Sequence, residues 1–92
     1  MNLFAGIGKI INVNQNSKVL RFSLAIEQEK PCYIPCLIFN PNDEVKEKIE
    51  QLKSAKQVVW LQGKVSSYEF EYQGRTIRKI EVVTFTNSIK TI

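Results

Sequence analysis

The residues of this sequence best suited to contact a ligand lie in the segment VSSYEFEYQGRTIRK, residues 65–79. Tyr68, Phe70 and Tyr72 occupy alternate positions, so in a β-strand their rings share one face. Three basic residues, Arg75, Arg78 and Lys79, follow closely. Binding of a single-stranded nucleic acid requires this combination, because bases stack on rings and phosphates pair with cations. The alternative is that the three rings form the buried face of a hairpin.

A hydrophobic core can be assembled without those three rings. Alternating apolar residues on other predicted strands, together with an apolar stripe on one predicted helix, supply the side chains for a single small core. The predicted core residues are Leu20, Phe22, Leu24, Ile34, Ile38, Val59, Leu61, Ile80 and Val82, and the helix stripe is Val45, Ile49 and Leu52. The availability of this core favours an exposed platform of rings.

The cysteines and the lack of histidine bear on catalysis and metal binding. Cys32 and Cys36 are four residues apart on a predicted strand, about 13 Å, which is roughly twice the separation that a disulfide spans. Without histidine or a third cysteine, the chain cannot complete a tetrahedral metal site. No cysteine has a base partner, and the sequence contains no phosphate-binding loop of the G-x-x-x-x-G-K type. We therefore predict no enzyme, no cofactor and no metal, with both cysteines as small buried hydrophobes.

Length and charge limit the size of the protein and the kind of partner. The 92 residues are predicted to form one domain, residues 1–92, with a single core. The 13 Lys and Arg residues exceed the 9 Asp and Glu residues, and most of the acids lie before residue 48. This distribution permits a positive face that attracts polyanions, although an ordinary soluble surface has a similar composition. The N-terminal residues match neither a signal peptide nor a membrane span, so we predict a cytoplasmic protein without a membrane partner.

Hydrophobic periodicity and turn residues predict five strands and one helix. The strands cover residues 3–13, 18–26, 32–39, 58–72 and 75–89. Gly6 and Gly8 are expected at a bulge or bend of the first strand, and residues 73–74 at the last turn. The helix follows the third strand, with Asn40 as its N-cap and Pro41 in its first position. The predicted fold is all-β: a five-stranded OB-fold barrel with one α-helix between strands 3 and 4 and a long hairpin of strands 4 and 5.

The sequence resembles the DNA-binding domain of bacterial single-stranded-DNA-binding proteins along almost its whole length. GIGKI resembles the first strand of that family, FSLAI the second, YIPCLIF the third and KQVVWLQGKV the fourth. The family has an aromatic residue six positions before a phenylalanine, matched here by Tyr33 and Phe39, and another seven positions after a glycine, matched by Phe70 after Gly63. The resemblance implies that these three rings stack on bases and that Trp60 lies near a subunit contact or at the edge of the core.

The sequence departs from the family pattern in three places. The loop around EQEKP is shorter and lacks a further stacking tryptophan of the family. Ile34 stands where the family has a histidine that bears on its tetramer. The sequence ends at Ile92 without the linker and acidic tip by which the family recruits other proteins. The resemblance therefore implies a small, tail-less member.

The residues and the resemblance together imply a protein that binds single-stranded DNA with little sequence preference, in replication, repair or recombination. It is expected to act as a homo-oligomer, a dimer or a tetramer, with replication or repair proteins as further candidate partners. The alternative is a primosomal-type OB-fold interaction module that binds replication proteins, or RNA, with only weak single-strand binding. The candidate nucleic-acid-binding residues are the rings Tyr33, Phe39, Phe70, Tyr68 and Tyr72 and the cations Arg21, Lys9, Lys64, Arg75 and Arg78.

Overall fold

The computed structural model describes residues 2–16 and 18–92 and contains the predicted order of elements. The elements are β1 (Leu3–Gln15), β2 (Val19–Ile26), β3 (Cys32–Phe39), α1 (Asp43–Ser54), β4 (Val58–Tyr72) and β5 (Arg75–Thr91). The turn predicted between the first two strands includes Ser17, which lies outside the described residues. Next to it, the Asn16 side-chain oxygen accepts the backbone N–H groups of Lys18 and Val19, both at 2.8 Å.

The five strands form a closed barrel in the order β1-β2-β3-β5-β4. β1 closes it, because it pairs antiparallel with β2 on one side and with β4 on the other. The contact of β3 with β5 is parallel, whereas β4 and β5 form a long antiparallel hairpin. A closed five-stranded barrel with its helix between the third and fourth strands is the arrangement of the OB-fold. The predicted fold class is confirmed.

Alternation along the strands determines which side chains fill the barrel. Inward residues such as Leu20 and Leu24 on β2 and Leu61 on β4 are fully buried, and Ile49 and Leu52 of α1 close one end of the same cluster. The buried core residues are Ile10, Leu20, Phe22, Leu24, Cys36, Ile38, Ile49, Leu52, Val59, Leu61, Val82 and Ile89, with Phe4, Val13, Ile26, Ile34 and Val45 packed against them. Most of the predicted core is thus confirmed.

The prediction that Ile80 belongs to the core is wrong. Its side chain is 60% exposed. Ile80 pairs with Ser67 in the part of the hairpin that no third strand covers. Alternation correctly assigned Ile80 to the same face of β5 as Val82. At Val82 that face points into the barrel, whereas at Ile80 the strand already extends beyond the barrel.

The helix begins later than predicted. Its N-cap is Asn42, whose side-chain oxygen accepts the backbone N–H of Val45 at 2.8 Å. Asn40 instead extends the pairing of β3, because its N–H donates to the carbonyl of Lys18 at 2.7 Å, and it adopts a φ of 49°. The prediction of Asn40 as the cap and Pro41 as the first helical residue is therefore wrong by two residues.

The glycines of β1 have a different role from the predicted bulge. Pairing with β4 is continuous through Gly6 and Gly8, and the irregularity of β1 falls further on, beside Asn12, whose φ is 54°. A Cβ at Gly8 would overlap the carbonyl oxygen of Ala25 and lie 2.9 Å from its carbon. Gly8 therefore permits a close approach of the backbones of β1 and β2.

Both cysteines are free. Cys36 is buried in the core cluster, and burial raises the pKa of its thiol to about 12. The thiol is therefore uncharged at neutral pH and packs as a small apolar group, as predicted, whereas Cys32 is only half-buried. Among residues 2–16 and 18–92, the structure contains no cluster of three or more His, Cys, Asp or Glu side chains that could hold a metal ion. Within those same residues, no helix has the length and apolar character needed to cross a membrane.

Candidate nucleic-acid interface

The hairpin of β4 and β5 extends past the barrel. Pairing of β4 with β1 ends at Lys64, and pairing of β5 with β3 is confined to Val82 and Val83. Beyond those contacts, residues 66–72 and 75–81 pair only with each other. We call this two-stranded segment the hairpin arm. Within residues 2–16 and 18–92, no third strand or helix lies over it, so both of its faces are open to solvent.

The turn of the hairpin arm determines which side chains share a face. Gln73 and Gly74 have φ values of 50° and 74°, as a two-residue type I′ turn requires. The turn pairs Tyr72 with Arg75, and the register continues without interruption to Gly63 and Thr84. The face that carries the three rings therefore contains Ser66, Tyr68, Phe70, Tyr72, Arg75, Ile77, Lys79 and Glu81.

The three rings are exposed on that face together with two cations. The ring centroids of Tyr68 and Phe70 are 6.0 Å apart, with an interplanar angle of 28°. Lys79 pairs with Tyr68 across the strands, and its Nζ lies 5.7 Å from the centroid of Phe70. Such a surface offers π-faces to flat ligands and, within a few ångströms, positive charge to an anion.

The opposite face of the hairpin arm has a different character. It carries Glu69 and Glu71 together with Arg78 and the exposed Ile80. Arg78 lies directly across from Glu69, and its Nε donates to the Glu69 carboxylate at 3.0 Å. The structure therefore separates Arg78 from the rings and neutralises it within the hairpin arm.

The ring face continues onto the outer surface of the barrel across β2, β3, β5 and β4, which we call the front face. One row of paired residues crosses it, from Arg21 through Leu37 and Val83 to Lys64. The two cations are three strand spacings apart, about 14 Å. Tyr33 and Phe39 are also exposed on the front face, on either side of Leu37 along β3.

Arg21 is not free on the front face. Its Nε lies 3.4 Å from a carboxylate oxygen of Glu81. Because Arg21 belongs to β2 and Glu81 to β5, this ion pair bridges β3, where Leu37 is only 2% exposed although its side chain points away from the core. The pair thus places one negative charge among the cations of the front face.

Lys9 lies beside the front face, because its cross-strand partner Ala25 pairs in turn with Tyr33. It is on β1 between Ala25 and Val58, and its Nζ is 3.3 Å from a carboxylate oxygen of Glu27. The structure thus brings together the rings of the hairpin arm with Arg75, and assembles Arg21, Tyr33, Phe39 and Lys64 on the adjoining barrel surface. Lys9 and Arg78 are engaged elsewhere.

Sequence reasoning noted Lys79 beside the rings but did not include it among the candidate binding residues, and it missed Phe85. A two-residue turn at residues 73–74 pairs Tyr68 with Lys79 by simple counting, so the place of Lys79 on the ring face could have been predicted. Val82 and Thr84 are buried on the inner face of β5, and Phe85, the next residue, is exposed on the front face. Alternation alone would have placed it on the outer face, but its exposure depends on the path of β5 around the barrel.

The barrel and its helix define the OB-fold class, and solved structures of that class match the chain throughout. It is similar to a Plasmodium falciparum SSB in a complex with ssDNA, with a TM-score of 0.71 and 16% sequence identity over 100% of this chain and 95% of that one. It is also similar to Rim1, a mitochondrial single-stranded DNA binding protein from S. cerevisiae, with a TM-score of 0.69 and 16% identity over 98% of this chain and 93% of that one. No protein-family model matches the sequence, and no curated protein matches it. At this identity, the likeness is one of fold.

Proposed function

We propose that this chain is a single-stranded-DNA-binding protein that holds unpaired strands with little sequence preference. The observation that carries the proposal is the face of the hairpin arm on which Tyr68, Phe70 and Tyr72 lie exposed beside Arg75 and Lys79. Each base that stacks on such a ring contributes on the order of 1–3 kcal/mol with little dependence on its identity. Cations beside the rings bind phosphates and release counterions.

The front face extends this binding surface along the barrel. Tyr33 and Phe39 supply further exposed rings, while Arg21 and Lys64 supply phosphate contacts. Glu69 and Glu71 face away, so their charges lie on the far side of the hairpin arm from a bound strand. Arg78 is left out of the proposed site because it lies on the opposite face of the hairpin arm, and Lys9 because it belongs to β1, which is not part of the front face.

The likeness to proteins described as SSB supports the proposal at the level of fold. Binding, protection and hand-over of single strands in replication, repair or recombination are the roles that we propose. A single domain over residues 1–92 and a cytoplasmic location remain predictions from the sequence.

A homo-oligomer, a dimer or a tetramer, is part of the same proposal. Ile7 and Trp60 are paired neighbours on the outer surface of β1 and β4, and Val58 lies beside them. Ile7 and Val58 are exposed and Trp60 is half-buried, so the three form an apolar patch on the outer surface of β1 and β4. Burial of such a patch between copies of the chain stabilises an assembly that presents several binding faces to one strand. Sedimentation of the purified protein over a range of concentrations tests this assembly.

The experiment that tests the proposed function is fluorescence anisotropy of a labelled oligo-dT of about 30 nucleotides, because such an oligonucleotide exceeds the usual site of one OB-fold. The protein is titrated at two salt concentrations, with a duplex of equal length as the control. We expect tight binding to the single strand that weakens steeply with salt, and weak binding to the duplex. Equal or negligible binding to both would rule out the single-strand function and favour a protein-interaction module.

The Arg21–Glu81 pair leads to a prediction about charge. A phosphate that binds Arg21 competes with the Glu81 carboxylate, so Glu81→Gln is expected to tighten binding of oligo-dT. An ion pair with one exposed partner contributes up to about 1 kcal/mol, which corresponds to at most about a fivefold change in Kd. The change should be larger at low salt, because screening is weaker there.

Glu71→Gln is the matched control for this prediction, because it makes the same change in net charge on the opposite face of the hairpin arm. Anisotropy titrations of the two variants and the wild type at low and high salt provide the comparison. Equal effects of the two substitutions would mean that only net charge matters, and weaker binding by Glu81→Gln would mean that Glu81 positions Arg21 for the strand.

A further inference from the structure

A further exposed ring lies on the front face, at the end of β5 remote from the turn of the hairpin arm. Phe85 is 59% exposed. The parallel pair sets Leu37 beside Val83, and Phe39 and Phe85 lie two residues further along their strands, so both side chains project from the front face. Packing in the core does not explain a large apolar ring that is exposed in this way.

Phe85 is exposed at a bulge of β5. Residues 85–88 stand opposite the single residue Gln62 of β4. The Thr84 hydroxyl donates to the carbonyl of Gln62 at 2.7 Å, and Lys48 of α1 donates to the carbonyl of Thr86 at 3.2 Å. The first bond fixes Thr84, directly before the bulge, to β4, and the second fixes Thr86, within the bulge, to the helix. Bulges of this kind re-aim side chains and occur often beside binding sites.

A recess of about 230 Å³ lies next to Phe85 on the front face. The residues that line it combine the apolar Leu3, Val83 and Phe85 with Gly63 and three residues that carry polar or charged side chains, Gln62, Ser88 and Lys64. The recess is smaller than the pockets that enclose drug-sized ligands. A ring for stacking, two polar groups for a base edge and a cation for a phosphate are the groups that recognise an unpaired nucleotide.

We propose that Phe85 and this recess form a second subsite, which takes one unpaired base of the strand whose other bases stack on the hairpin arm. The inference rests on the proposed function and adds a subsite to it. Phe85 lies eight residues along β5 from Ile77, the cross-strand partner of Phe70, which is about 26 Å. At a spacing of about 3.4 Å or more per nucleotide, about eight nucleotides or fewer cover that distance, within the roughly 4–16 nucleotides that OB-folds bind.

The path between the two subsites carries two cations that can contact phosphates, together with the carboxylate of Glu81, which is paired with Arg21. Lys64 belongs both to the recess and to the row of residues that crosses the front face. Arg21 lies in the same row on the other side of Leu37 and Val83. A strand that runs along β5 from the hairpin arm to Phe85 therefore passes between the two cations.

The test is anisotropy with the same labelled oligo-dT of about 30 nucleotides. Phe85→Ala is expected to weaken binding about 5- to 150-fold, as loss of one stacked base does, and Phe85→Tyr should retain wild-type affinity because it keeps the ring. Ile80→Ala is the matched control: it removes an equally exposed apolar side chain from the far face of the hairpin arm, and its affinity should not change.

A measurement that does not depend on a substitution completes the test. Photocrosslinking of the wild-type protein to an oligonucleotide with 5-iododeoxyuridine at each position, followed by peptide mapping, should identify Phe85 or Leu3. Wild-type affinity of Phe85→Ala, or crosslinks confined to the hairpin arm, would overturn the second subsite while the proposed function stands. Failure of the wild-type protein to bind the single strand would instead overturn the proposed function, and the subsite with it.

Discussion

Replacement of Phe70 with alanine is expected to weaken binding of oligo-dT by about 1–3 kcal/mol, which is about 5- to 150-fold in Kd. Phe70 lies at the centre of the exposed ring face, between Tyr68 and Tyr72 along β4, with the ammonium group of Lys79 5.7 Å from its ring centroid. A base stacked on Phe70 therefore also lies close to a phosphate-binding cation. Anisotropy titration of the variant against the wild type at one fixed salt concentration measures the change.

The folded state should tolerate this substitution. The ring is exposed on a two-stranded segment, where cross-strand side-chain pairs contribute only about 0.2–1 kcal/mol each. Thr76→Ala provides the control, because Thr76 belongs to the opposite face of the same hairpin arm and is also exposed. Loss of affinity with Phe70→Ala and none with Thr76→Ala supports a stacking platform. If both variants bind as the wild type does, the rings have another role, such as contact with a protein.

Replacement of Gly8 with alanine is expected to lower the free energy of unfolding by about 1–3 kcal/mol, the usual range for overpacking of a tightly packed site. The added methyl group would meet backbone atoms of Ala25 and would lie 3.2 Å from Cγ of Leu24, a fully buried residue. Neither neighbour can move without opening the pairing between β1 and β2. Urea denaturation followed by circular dichroism measures the change.

Gly6→Ala is a matched control for this prediction, since it makes the same substitution two residues earlier on the same strand. There the added methyl group would come closest to Cζ of Phe4, 2.7 Å away, and it would meet only side-chain atoms, whereas at Gly8 it would meet the backbone of Ala25. The unfolded chain loses the same backbone freedom in both variants, which by itself favours the folded state by about 0.4–1 kcal/mol. We expect Gly6→Ala to lower the free energy of unfolding less than Gly8→Ala does, and equal stability of the two variants would contradict the role assigned to Gly8.

These two predictions concern different parts of the protein, the barrel at Gly8 and the hairpin arm at Phe70. The close approach of β1 and β2 at Gly8 keeps the barrel closed, and the closed barrel supports the base of the hairpin arm through β1 and β3. The ring face lies beyond that base, where few contacts are available to stabilise it. Phe70→Ala should therefore change binding with little effect on stability, whereas Gly8→Ala should change stability first.

Much of the local structure was determined by the sequence alone. The alternation of Leu20, Phe22 and Leu24 assigns those side chains to one face, and the stripe of Ile49 and Leu52 predicts a helix packed on a core, because each periodicity leaves a single apolar face to bury. The turn at residues 73–74 also determines the register of the last hairpin, because two residues with positive φ leave one way to pair the strands.

Only the tertiary structure decided which of those faces are covered. Tyr68 and Ile80 lie on opposite faces of the hairpin, and both are exposed because β1 and β3 end their pairing before they reach either residue. The Arg21–Glu81 pair joins residues that are 60 positions apart in the chain. Local periodicity determines which side chains share a face. Pairing between strands that are distant in the sequence determines whether that face is covered, and a candidate binding surface depends on this non-local pairing.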